Sequence, residues 1–289
     1  MPVPTTKAGK NKGNHVINII TALQCEARPL IERYKLRGNA RHHAFRCYQN
    51  DEMQLIVSGI GKLATATATT FLAASNTQTS HAWLNLGIAG HPDRAIGEPL
   101  LAHKLIDAAS EQQWFPGIVM PIPCASETLT TIDKPVLDYQ DDTMLDMEAS
   151  GFYAAASRFQ SCELIHSLKV ISDNRQHSSE QITEKTTTAI INDNMATIDS
   201  IVTSLLELSS QLNKIEQTPT EIYDFMEQWH FTTYQQNELR LLLRRWHALS
   251  LTNKPSRHHF SNQTTGKAVL IAIKQFLDKQ PITFTKGAH

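Results

Sequence analysis

From Val16 onward, short continuous apolar runs alternate with stretches whose apolar positions recur at helical spacing. The run at 16–22, VINIITA, is β-branched and uninterrupted, which predicts a strand covered on both faces. Residues 45–48 and 53–58 predict a strand pair turning at 49–52. Further strands are expected at 81–86, 98–107, 144–147 and 163–172, with a strand edge at 116–123. Between them, helices are expected from about Cys25, over the Ala/Thr run 63–74, and at 149–159. Small side chains in the Ala/Thr run let that helix lie close to a sheet. A single long helix is predicted over 179–212, where Ile190, Ile191, Met195, Ile198, Ile201, Val202 and Leu205 recur at helical spacing. Residues 124–142 are rich in hydroxyl and acidic side chains and hold Pro135, and read as a loop over a site. This order predicts an α/β fold: a mainly parallel mixed sheet with helices on both faces.

After Gln217-Thr218-Pro219 the pattern changes. EIYDFMEQW and QNELRLLLRRWHALSL have the spacing of two amphipathic helices, with Thr232 or Thr233 as candidate cap between them. The expected organisation is therefore an arm at 1–14, an α/β domain at 15–217 and a small helical extension at 218–289.

Charge and composition narrow the classes. The 289 residues carry 27 Lys and Arg against 28 Asp and Glu, a net charge of −1, so the whole molecule is not built to bind a polyanion. Residues 219–289 differ, with nine basic against five acidic side chains, 9 − 5 = +4. Arg240, Arg244 and Arg245 there would serve contact with nucleic acid or a protein partner, or simply be solvated or paired with acids. Cys25, Cys47, Cys124 and Cys162 are scattered, without CxxC or metal-ligand spacing, as expected of reduced thiols. His42-His43 and His258-His259 lack further ligands at suitable spacing and read as loop residues. Residues 1–14, with Lys7, Lys10 and Lys12, have no apolar core of signal-peptide length, and no run reaches the roughly 20 apolar residues of a membrane span. A soluble, cytoplasmic protein is expected.

The chemistry concentrates in 144–173, where Asp146 and Glu148 precede a helix of small and aromatic residues and Asp173 ends an apolar strand. These carboxylates serve either as caps of helices and turns or as a pair acting on a sugar–base bond. Gly59 and Gly61 sit between a strand and a helix, where backbone amides approach a ligand oxygen or where the chain merely turns tightly. Glu26 falls in a first helical turn, a position the helix dipole favours for an anion.

Five segments, VINIITALQCEARPL, LIVSGIGKLATA, WLNLGIAGHP, LDMEASGFYAAA and LKVISDN, resemble in order the motifs of the nucleoside phosphorylase and nucleosidase superfamily. The likeness is strongest to methylthioadenosine/S-adenosylhomocysteine nucleosidases, futalosine hydrolases and hopanoid-associated nucleoside phosphorylases. It covers about residues 16–212 and leaves out both ends. The resemblance implies cleavage of the N-glycosidic bond of an adenosine-type, 5′-modified purine nucleoside. It gives Glu26 the attacking water, Met147 and Glu148 the ribose, and Asp173, after Ser172, the proton for N7 of the base. The backbone of Gly87, Ile88, Ala89 and Gly90 would form a loop beside the anomeric carbon, and the base would lie near 128–132. No cofactor or metal is implied, and the resemblance suggests a homo-oligomer.

Where phosphorylases of this superfamily carry a hydroxyl in the 87–90 segment, this chain has Ile88, and Trp83-Leu84-Asn85 bring no arginine before it. That departure favours water over phosphate as nucleophile. Arg28, Arg94 and Arg175 keep a phosphate-dependent phosphorylase, with phosphate as co-substrate, open as the alternative. A nucleoside- or nucleic-acid-binding protein with reduced catalysis is the third reading; the presence of Glu26, Glu148 and Asp173 together speaks against it.

Overall fold

The computed structural model describes residues 17–39, 44–75, 81–135, 139, 141–216, 218–249 and 255–280. The arm at 1–14 and His42-His43 lie outside these residues. By its contacts the chain divides into two units, Met1–Ser210 and Gln211–His289.

The first unit opens with β1 (Ile17–Thr21), every residue of which is buried, as the continuous apolar run required. Then follow α1 (Gln24–Arg33), β2 (Arg37–Gly38), β3 (Arg46–Gln49), β4 (Met53–Val57), α2 (Lys62–Ser75) and β5 (Ala82–Gly90). The chain continues through β6 (Pro99–Asp107), β7 (Gln113–Trp114), β8 (Ala125–Thr131), β9 (Met144–Asp146), α3 (Ala149–Ala156) and β10 (Ile165–Asp173). It closes with α4 (Glu184–Asp193) and the greater part of α5 (Met195–Glu216), whose last residues fall in the second unit.

Among the described residues all ten strands join one mixed sheet, ordered β10-β6-β8-β9-β5-β1-β4-β3-β2, with β7 beside β6. β10 also pairs with β5, so β5, β9, β8, β6 and β10 close into a ring. The pairings β1–β4, β1–β5, β5–β10, β6–β8 and β8–β9 are parallel; those of β2, β3 and β7, together with β10–β6 and β5–β9, are antiparallel. Helix α1 packs with α4, and α2 with α3, over the strands. The core between α2, α3 and the sheet includes Ile56, Trp83, Leu129, Phe152, Tyr153 and Ile171.

Four expectations from the sequence are corrected. Residues 124–142 are not a single loop: 125–131 form β8, paired along its length with β6. Its hydroxyl residues are largely threonines, β-branched and suited to a pleat, and Leu129 and Thr131 are fully buried. No strand forms over 116–123; the short β7 lies just before it. Gly87, Ile88, Ala89 and Gly90 are not a loop but the end of β5, paired with β10. The long helix over 179–212 is two helices broken at Asn194. There the Asn194 amide donates to Ile190 O and to Gly97 O, at 2.8 and 2.9 Å, and Thr183 begins α4 with a capping box.

The second unit holds α6 (Ile222–Gln228), α7 (Thr233–Ala248) and α8 (Gly266–Asp278), the last missing from the sequence reading. Its core joins Phe225, Trp229, Leu243, Trp246, Phe260 and Ile273. Thr232 is the cap of α7, accepting from Gln235 N. Arg245 pairs with Asp278 at 2.7 Å, and Arg240 donates to Asn237 at 2.7 Å. His258 and His259 lie in a single 3-10 turn. Among the described residues no helix is long and apolar enough to cross a membrane.

Candidate active site

β1 and β5 run side by side only from Ile17–Ala82 to Ile20–Asn85. β1 then ends and turns into α1, whereas β5 continues to Gly90. The backbone N–H of Ile88 is therefore free of β1, and it donates to Glu26 Oε1 at 3.1 Å. Glu26 Oε2 accepts from the amides of Ala22 and Leu23 at 2.9 and 2.8 Å. One carboxylate thus fastens the first turn of α1 to the splayed end of β5. Gly87 makes room for it: a Cβ there would lie 2.7 Å from Glu26 Oε1. Glu26 is 2 % exposed. Burial pushes its carboxyl up to about 7, against the opposing pull of Lys169 and the amide hydrogen bonds.

Glu148 sits at the N-terminus of α3 and accepts from Gly61 N at 2.8 Å and Met147 N at 3.3 Å. The strand-to-helix turn of Gly59 and Gly61, both at positive φ, delivers its amide to this carboxylate. Burial also raises Glu148 above the ordinary carboxylate range.

Asp146 follows the capping reading. It accepts from Ala149 N at 2.8 Å at the start of α3, and from the Thr131 hydroxyl at 2.7 Å. It also pairs at 2.9 Å with Lys169, a fully buried lysine in the middle of β10. Burial alone would lower Lys169; Asp146, then Glu148 and Glu26, hold it above its usual value. The three carboxylates therefore share one internal cation. The sequence reading missed it, because LKVIS reads as an unbroken strand; a lone lysine inside such an apolar run was the available signal.

Asp173 ends β10. The Ser172 hydroxyl donates to its Oδ1 at 2.6 Å, and the Tyr139 hydroxyl donates to its Oδ2. Its backbone carbonyl accepts from His91 N at 3.0 Å. Gly90 must lack a side chain, since a Cβ there would meet Asp173 Oδ2 at 2.7 Å and collide with the Tyr139 hydroxyl.

These side chains meet in one cleft at the C-terminal ends of β1, β5 and β10. Glu26, Ile88, Ala89, Gly90, Met147, Glu148, Ser172 and Asp173 all line it, whereas Gly87 lies beneath Glu26 and does not. The cleft has a cavity volume of about 170 Å³, below the roughly 300–1,000 Å³ of drug-sized small-molecule pockets. Of the 128–132 segment expected beside the base, only Ile132 reaches the wall. Ile60, Leu145 and Ile182 are among its apolar lining residues.

Among the described residues neither arginine nor lysine lines it. Arg28 is exposed. Arg94 is held by Glu98 and Glu127 at 3.1 and 2.9 Å, and Arg175 by Asp93 at 2.8 Å. Among the described residues no cluster of three His, Cys, Asp or Glu is arranged to hold a metal ion.

No protein-family model and no curated protein matches the chain. Solved structures do. A 5′-methylthioadenosine/S-adenosylhomocysteine nucleosidase from S. pneumoniae, bound to a transition-state inhibitor, is 17 % identical, with TM-score 0.55 over 66 % of this chain and 99 % of that one. The S-adenosylhomocysteine nucleosidase from Streptococcus pyogenes is 18 % identical, with TM-score 0.52 over 68 % and 99 %. The nucleosidase from Neisseria meningitidis, in complex with methylthio-immucillin-A, is 16 % identical, with TM-score 0.52 over 64 % and 99 %. What this chain shares with them, as its five motifs implied, is the fold of the methylthioadenosine/S-adenosylhomocysteine nucleosidases.

Proposed function

We propose that this protein hydrolyses the N-glycosidic bond of an adenosine-type purine nucleoside with an apolar 5′ group. The observation that carries the reading is the convergence of Glu26, Glu148 and Asp173, 147 residues apart at the extremes, on the wall of one cleft. Breaking the bond leaves positive charge on the ribose ring and negative charge on the departing base. Glu148, beside Met147, would hold the ribose hydroxyls and favour the cationic sugar electrostatically. Asp173 would supply the proton that lets the base leave neutral; acid assistance of this kind is typically worth about 10²–10⁴ in rate. Glu26 would take a proton from the water attacking the anomeric carbon, and a carboxyl held up to about 7 is well matched to that task. The chemistry parallels the two-carboxylate logic of glycoside hydrolysis.

Water is favoured over phosphate because a phosphate dianion needs cationic donors, whereas Arg94 and Arg175 are already bound to acids. The apolar lining residues, among them Ile60, Leu145 and Ile182, support an uncharged 5′ substituent such as methylthio. That the solved relatives are named as nucleosidases and bind nucleoside analogues agrees with this reading.

The test is incubation with methylthioadenosine or 5′-deoxyadenosine, with and without phosphate, following free adenine and the sugar product. Adenine and free sugar at equal rates in both conditions are expected, and Asp173→Asn should abolish them while leaving the melting temperature within a few degrees. Strict phosphate dependence overturns hydrolysis; absence of base release overturns the enzyme.

A further inference from the structure

Glu148 owes its place to side chains that stand outside the cleft. Its Oε1 takes the Gly61 amide at 2.8 Å, whereas Oε2 has the longer 3.3 Å contact with Met147 N and keeps capacity for a further donor. Gly61 immediately precedes α2 and Glu148 immediately precedes α3, so their bond is only as well placed as those two helix starts. Both starts are tied to one carboxylate, Asp107, the last residue of β6. Lys62, the first residue of α2, pairs with it at 3.0 Å, and the hydroxyl of Ser150, the second residue of α3, donates to it at 2.8 Å. The Ser110 amide and hydroxyl add two more bonds, each of 2.9 Å. Asp107 is 6 % exposed; against the upward push of burial, these hydrogen bonds hold its carboxyl well below the usual range. Lys62 also reaches Asp133 at 2.9 Å, and Asp133 follows Ile132 of the cleft wall. Among the described residues that line the cleft, none is Lys62, Asp107, Ser150 or Asp133.

Resting on the nucleosidase reading, we propose that Lys62 and Asp107 are positioning residues for the ribose. Their ion pair holds the starts of α2 and α3 together, and so aims Glu148 Oε2 at the 2′- and 3′-hydroxyls of the nucleoside. Ser150 is the third member of this clamp, because it joins α3 to the same anion. A buried carboxylate that loses its cation is strongly destabilised, so removing Lys62 repacks the helix starts that face Asp107. No reacting atom is touched, yet a displacement of about 1 Å far from the chemistry can cost about 10²-fold in rate. The loss has a signature. It falls on what Glu148 reads, the sugar hydroxyls, and spares the base.

The experiment compares wild type, Lys62→Met, Lys62→Arg, Ser150→Ala, Glu148→Gln and the Lys62→Met/Glu148→Gln double variant. The substrates are methylthioadenosine and its 2′,3′-dideoxy analogue, and the readout is the ratio of their kcat/KM values, the preference for the ribose form. Expected is a fall in that ratio of about tenfold in Lys62→Met and about threefold in Ser150→Ala. Lys62→Arg should stay close to wild type, because arginine also pairs with carboxylates. On the Glu148→Gln background Lys62→Met should change the ratio no further, since its effect passes through Glu148. An unchanged ratio in Lys62→Met, an equal loss in Lys62→Arg, or a full further loss in the double variant each overturns the clamp. Where Lys62→Met does not fold, Ser150→Ala, which keeps both ion pairs, carries the test, and an unchanged ratio there overturns it. If wild type releases no base, the nucleosidase reading fails, and the clamp is read from the dissociation constants of adenosine and 2′,3′-dideoxyadenosine. A ratio of those constants unmoved by Lys62→Met, or no binding of either nucleoside, overturns the clamp as well.

Discussion

At the scale of single residues, the site is a set of buried anions around one buried cation. Burial raises both Glu26 and Glu148, so each holds its proton more tightly in the folded state than in the unfolded chain. The unfolded chain releases those protons near the ordinary glutamate value of 4.5, whereas folded Glu26 holds its own to about 7. Between these values the folded state binds more protons, and the contribution of Glu26 to stability falls as pH rises. Activity should move the other way: the base form of Glu26 is needed, so kcat/KM for adenine release should rise with pH along a limb centred near 7. A flat profile from pH 5.5 to 8.5 would remove Glu26 from the role of base. Lys169 tunes that limb. Lys169→Met should cost about 3–5 kcal/mol in denaturant unfolding, because buried carboxylates lose their counter-ion. In whatever folded enzyme remains, the limb should shift above 7, since the lysine charge opposes the rise in Glu26; an unshifted limb would mean that the two charges do not communicate.

At the scale of elements, the cleft depends on how closely helices and strands approach. Gly151, in α3, faces the backbone of Lys62 at the start of α2, and a Cβ there would collide with the Lys62 carbonyl. The contact matters because Gly61, next to Lys62, gives its amide to Glu148. Gly151→Ala should therefore destabilise the fold by about 1–3 kcal/mol, as overpacking does, and lower turnover by displacing the Gly61 amide. A denaturation midpoint equal to wild type would show that the two helices yield without cost. The small residues of the Ala/Thr helix have their explanation in the same packing: Thr65, Ala68 and Thr69 are fully buried.

At the scale of the molecule, the second unit has its own apolar core of tryptophan, phenylalanine and leucine side chains, and its own ion pairs. A unit of this size lies near the lower limit at which a core stabilises a fold alone, but three capped or packed helices around Trp246 meet the requirement. Residues 211–289 expressed separately should be helical by circular dichroism and melt cooperatively. A spectrum of unfolded chain would mean that this core depends on the rest of the protein. Contact of this unit with nucleic acid or protein through Arg240, Arg244 and Arg245 is a proposal that mobility-shift assays address; Arg245 is already paired within the unit.

The sequence by itself determined most strands and helices of the first unit and their order, because a largely β-branched run such as VINIITA is best satisfied inside a sheet. Through its motifs it also pointed to Glu26, Glu148 and Asp173 as the chemistry. It left β8 hidden behind threonines, and it could not split the helix at Asn194, whose side chain binds Gly97, distant in the chain. Only the tertiary structure decided that β5 outruns β1 and exposes the Ile88 amide to Glu26, that Lys169 serves three acids, and that Tyr139 lies against Asp173. The reason is the same in each case: local pattern fixes what a segment becomes, whereas which buried charge meets which partner is set by the register and closure of a sheet whose strands come from opposite ends of the domain.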